Sequence, residues 1–180
     1  MVSKVRFSDN YSSIEDIEKF YYYSNESFKP YFTEHNSYFF GYSIPELNIE
    51  LSEHKLTLDR MSALEILAFL EARFRIDYLI RCQNKKKDLL SRNLRQIYKV
   101  KGNRASLTDD ILKEWKVVNS NHKILLDSFK NALDYRNWLA HGRYWEPKKT
   151  SHVKKYDYLS VIFLANELLN NLTLYEPDYF

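Results

Sequence analysis

Cysteine, glycine and proline are all scarce in this chain of 180 residues. Cys82 stands alone, so no internal disulfide can form. Three glycines and four prolines are too few turn-makers for a sandwich of many short strands, and they suit long helices. No apolar run reaches the roughly 18 residues that a membrane-spanning helix requires. The first residues, Met-Val-Ser-Lys-Val-Arg, lack the apolar core of a signal peptide. These absences predict a soluble protein of a reducing cytoplasm, with no membrane association. No Gly/Ser- or Pro-rich linker divides the chain, and its length favours one domain with one substantial core.

Charge is present but unevenly spread. The net value is only +3. From Arg73 to Arg104 there are eleven Lys/Arg against two acids, Asp77 and Asp88, a local excess of nine positive charges. The remainder therefore sums to −6. A basic segment of that density concentrates polyanions, although a solvated helix face is the plainer explanation.

Aromatics cluster early. Residues 20–42 carry eleven of them, with no clean period. They read as an N-terminal extension, residues 1–56, that wraps a helical domain or buries a dimer contact; base stacking on exposed rings is the alternative. Ser13-Ile-Glu-Asp16 resembles a capping box and predicts a short helix through Tyr23. Pro45 and the alternation of Leu47, Ile49 and Leu51 predict a short strand.

From about Asp59 the apolar spacing turns helical, through Leu64, Leu67, Leu70, Phe74 and Tyr78. The pattern predicts helices from there to about Asn84, from Asp88 to Val100, around Ile111–Trp115, from Ser120 or Asn121 to His141, and from Tyr156 to Leu172. Gly102 breaks the second of these, and Gly142 is placed to stop the fourth. The expected architecture is an all-α bundle of four to five main helices over residues 57–180.

The fourth helix holds the residues with the sharpest chemistry. Arg136 falls about 20° from Leu125 on a helical projection, inside the apolar stripe. A guanidinium there must find an acid, a polar cleft or a ligand, and Glu71 is a candidate partner. Asn137, Trp138 and His141 project from roughly the opposite side. That suggests a second contact surface and a dimer. An arginine grips phosphate, and a histidine moves protons near neutral pH. The five histidines, His35, His54, His122, His141 and His152, offer no convincing metal-ligand pair, so neither a metal nor a cofactor is expected.

Arg136-Asn137-Trp-Leu-Ala-His141 resembles the R-x4-H motif of HEPN domains. The run Arg-Asn-x-x-Ala-His-Gly is similar to the version in abortive-infection and other HEPN ribonucleases. Glu71-Ala-Arg-Phe-Arg75 also resembles the acid-and-arginine stretch on an earlier helix of such proteins. The resemblance implies a HEPN-like bundle acting as a metal-independent endoribonuclease, a toxin or phage-defence effector with a composite site in a homodimer. Arg136 would hold the scissile phosphate, His141 would act as general acid or base, and Asn137 would orient one or the other. Glu71, Arg75, Arg143 and Tyr144 are the further candidates for RNA contact. Attack by the 2′-hydroxyl would leave a 2′,3′-cyclic phosphate. Some family members are silenced by a partner that modifies a tyrosine two positions after the histidine. Here Arg143 stands at that position and Tyr144 one step beyond, and an antitoxin or regulatory partner is a further expectation. A non-catalytic protein- or RNA-binding module on the same fold is the alternative.

Overall fold

A computed structural model describes residues 5–7, 12–144 and 156–177. Among these there are helices and turns and no strand. Six α-helices follow in order: α1 Ile14–Tyr31, α2 Ile44–Gln83, α3 Leu89–Lys101, α4 Leu112–Val118, α5 Lys123–Ala140 and α6 Tyr158–Asn171. Helix α2 is the axis of the fold, packing against α1, α3, α5 and α6. No helix among the described residues is long and apolar enough to cross a membrane.

The helix starts are written in side chains. Ser13 and Asp16 form a reciprocal capping box at α1. Asp88 accepts from the Ser91 N–H at the start of α3, and Asp157 caps α6 through Ser160. Gly102, at φ 55°, closes α3, and its carbonyl accepts from the buried Tyr78 hydroxyl at 2.9 Å. Before α4, Ser106 caps one turn of π-helix, Leu107–Ile111.

The strand expected around Leu47–Leu51 does not form; these residues are the opening turns of α2. Pro45 is no obstacle there, because its missing N–H and fixed φ suit the first helical turn. The Glu46 carboxylate accepts from both the N–H and the hydroxyl of Ser43, at 2.8 and 2.7 Å. Leu47 and Leu51 sit one helical turn apart on the inner side, while Ile49 is 61 % exposed. Alternation over five residues was thus a sample of an amphipathic helix. The position between residues 56 and 57 falls inside α2, which continues unbroken across it. Helix α1 likewise runs beyond Tyr23 to Tyr31.

The core is a ladder along α2. Ile66, Leu67, Leu70 and Phe74 are fully buried against Leu126, Phe129 and Ala132 of α5 and Val161, Ala165 and Leu168 of α6. Phe74 stacks on Phe129 at 5.1 Å and meets Trp115 edge-on. Ile14 and Ile17 bring α1 into the same core, and Tyr21 stacks on Tyr158 while donating to Asp59.

Two arginines of α2 are interior parts of this frame. Arg81 donates Nε to both oxygens of Asp77, Nη1 to Asp88 and Ser91, and Nη2 to the Thr173 carbonyl. Its guanidinium lies over the Tyr175 and Trp115 rings. Asp77 also accepts from the Tyr175 N–H at 2.9 Å. Arg73 pairs with Glu176 at 2.6 Å. The segment after α6 is therefore strapped along α2 by two cations that the sequence counts as surface charge.

Candidate nucleic-acid interface

The R-x4-H stretch occupies the last turn and the end of α5. The turn is closed as a Schellman motif: Gly142 N–H donates to the Leu139 carbonyl and Arg143 N–H to the Trp138 carbonyl. Gly142 takes φ 74°, the left-handed region that a side chain disfavours. Arg143 also has a positive φ, 59°, which turns the chain away from the helix axis. His141 is the C-cap residue, with its N–H bonded to the Asn137 carbonyl and its side chain exposed.

Arg136 meets α2. Its Nη2 lies 3.3 Å from Glu71 Oε2, and its Nη1 donates to Asn137 Oδ1 at 3.1 Å. The other Glu71 oxygen accepts from Arg75 Nε at 2.9 Å, and Arg75 Nη1 donates to the Ala105 carbonyl. One carboxylate thus sits between two guanidiniums, leaving one net positive charge in the cluster where α5 meets α2. The arginine side chains are 32 % and 41 % exposed, so both reach solvent. The partner expected for Arg136 is the one found.

Comparison with Arg81 separates two uses of the same residue. Every nitrogen of Arg81 is bonded and its side chain is 6 % exposed. Arg136 has one long ion pair, one bond to its neighbour and a buried Nε with no acceptor. A side chain so under-satisfied stands apart from a purely structural one.

Glu71, Arg75, Arg136 and Asn137 therefore come together. Arg143 does not join them. It lines a hollow of about 150 Å³ with Leu139 and with Thr57, Arg60, Met61 and Leu64 of α2. Arg60 is eleven residues from Glu71, ~16 Å along the helix. Sequence reasoning missed Arg60, because nothing local links it to a residue far along the chain. Tyr144 is exposed, and Trp145 lies outside the described residues. Trp138 does not stand on an outer face. It is half-buried, stacks with Tyr135 at 6.0 Å and packs against the core.

The basic segment is also redistributed. Arg73 and Arg81 are interior, Arg75 belongs to the Glu71 cluster, Arg95 donates to the Lys86 carbonyl, and Lys101 pairs with Asp110. Lys85, Lys87, Arg92, Lys99 and Arg104 remain exposed around α3. A second cationic surface, a hollow of about 650 Å³, is lined by Lys113, Lys116, Lys123 and Lys130 where α4 meets α5. Burial pushes the Cys82 thiol up to about 12, so it carries no thiolate at neutral pH. No group of three or more His, Cys, Asp or Glu among the described residues is arranged to hold a metal ion.

Comparison with protein families, with curated proteins and with solved structures finds no match to this chain.

Proposed function

We propose that this protein is a metal-independent endoribonuclease of HEPN type, acting as a toxin or phage-defence effector. The observation that carries the reading is the solvent-reaching, under-bonded Arg136, held by Glu71 beside Asn137, with His141 five positions on at the helix end. Arg136 binds the scissile phosphate and stabilises the charge that builds on it. His141 exchanges a proton with the 2′-hydroxyl or the leaving 5′-oxygen. RNA supplies its own nucleophile, so the chemistry needs no serine or cysteine. Arg75, and Arg143 with Tyr144 beyond the turn, contact the flanking strand.

His141 stands five positions after Arg136, a spacing that on an ideal helix turns the two side chains about 140° apart. That spacing favours a site shared between two protomers over one built within a single chain. A second copy, bringing its own His141 against Arg136, completes the site. At micromolar concentration the protein is therefore expected to scatter light as a particle of twice the chain mass. A monomer at high micromolar concentration removes the composite site.

The test of the chemistry is cleavage of single-stranded RNA in EDTA. The expected result is fragments ending in 2′,3′-cyclic phosphate from the wild type and none from His141→Ala. Equal cutting by both proteins defeats the proposal. The competing reading, a non-catalytic module on the same bundle, draws on the exposed aromatics of the first helix and the turn after it.

A further inference from the structure

The turn between α1 and α2 is an aromatic knob. Phe39 is its hub, 2 % exposed, with the rings of Tyr31, Phe32, Tyr38 and Tyr42 packed around it at 5.1 to 5.6 Å. The outer faces stay open: Phe40 is 94 % exposed and Tyr38 68 %. Asn36 fixes the turn by accepting from the Tyr38 N–H and donating to the Tyr31 carbonyl. The Tyr31, Phe32, Tyr38 and Tyr42 rings are thus preset by Phe39, and binding through them loses little side-chain freedom.

Among the described residues, the knob stands away from the bundle. Leu139 and Arg143, at the end of α5, meet α2 at Thr57–Leu64, and Tyr158, at the start of α6, stacks on Tyr21. The α1–α2 hairpin runs on for some thirteen residues of α2, ~20 Å beyond the ends of α5 and α6. A rigid aromatic surface raised in this way marks a contact site.

Charge decides what it contacts. Residues 30–54 contain four acids, Glu34, Glu46, Glu50 and Glu53, and no lysine or arginine. Glu50 and Glu46 lie close enough to Tyr42 to raise its phenol above the usual tyrosine range, Glu50 most strongly. Carboxylates beside Tyr42 and along the same segment repel phosphates, so this is a poor platform for stacked bases. They equally repel a second copy of the same knob. Lysine or arginine side chains, in contrast, gain from both the carboxylates and the ring faces.

We infer that the α1–α2 knob docks a partner protein through a cationic, apolar segment of that partner, and binds neither RNA nor a second knob. Aromatic rings on Phe39 supply the apolar contact, and Glu34, Glu46 and Glu50 select the charge.

Fluorescence anisotropy on the full chain tests this with three labelled probes: a 20-residue amphipathic helix of leucine and lysine, the same helix with glutamate for lysine, and an oligo(U) RNA. The lysine peptide should bind, and its affinity should fall about tenfold between low and high salt. Phe40→Ser with Tyr38→Ser, and separately Glu46→Gln with Glu50→Gln, should each weaken it about tenfold while circular dichroism is unchanged. Equal binding of the two peptides, no binding of either, or indifference to both double variants overturns the inference. So does RNA affinity that drops with Phe40→Ser, or a dimer that this change splits. With the oligo(U) probe measured on His141→Ala protein, none of these readouts depends on RNA cleavage, so the knob can fail while the nuclease stands, and the reverse.

Discussion

Arg136→Ala should reduce RNA cleavage by about a hundredfold or more, the scale seen when one preorganised charge donor is lost. The bundle should stay folded. Arg136 is only two-thirds buried, and its partner Glu71 keeps Arg75 at 2.9 Å after the change, so no carboxylate is left stranded. A partly exposed ion pair of this kind contributes on the order of 1 kcal/mol or less. Cleavage assays beside thermal melts of the same preparation give the answer. Lost cutting with a melting point near that of the wild type rejects a merely structural arginine. A large fall in melting point with no cutting to lose supports the binding-module reading.

Arg81→Ala should do the opposite, costing stability rather than touching RNA. Asp77 is fully buried and depends on Arg81 for two hydrogen bonds, and the Thr173 carbonyl loses its donor as well. Removing one partner of a buried pair costs about 3–5 kcal/mol. In a domain of this size that lowers the melting midpoint by about 10 °C. Replacing both members with apolar residues of similar volume, Arg81→Met with Asp77→Leu, should recover much of the loss, because no buried charge is then unpaired. Equal melting points for the single variant and the wild type would refute the assigned role of Arg81.

The contrast between these arginines also shows what the sequence made legible. Arg136 could be found because its place on an apolar stripe demanded a partner, and Glu71, one groove away on α2, met the demand. The helix ends were legible for the same reason: Ser13, Asp88, Gly102 and Gly142 each answer a local backbone need. Arg73 and Arg81 were hidden inside a basic run, because Glu176, which pairs with Arg73, and the Thr173 carbonyl, which closes the shell of Arg81, come from the segment after α6. Charge counting cannot separate an interior cation from an exposed one. The start of α2 was misread because Leu47, Ile49 and Leu51 satisfy an alternating pattern over a window too short to expose the helical period. Trp138 was placed on an outer face by an ideal projection that ignores how a large ring folds back onto Tyr135.

The strap along α2 also sets an order of events during synthesis. The carbonyl that Arg81 grips is made 92 residues later, and the N–H that completes Asp77 lies 98 residues from it. A growing chain thus carries the buried Arg81 without its full set of acceptors until all six described helices have been made. Joining ends so far apart in sequence is entropically costly and slow. The ribosome must deliver the segment beyond α6 before this bundle can lock.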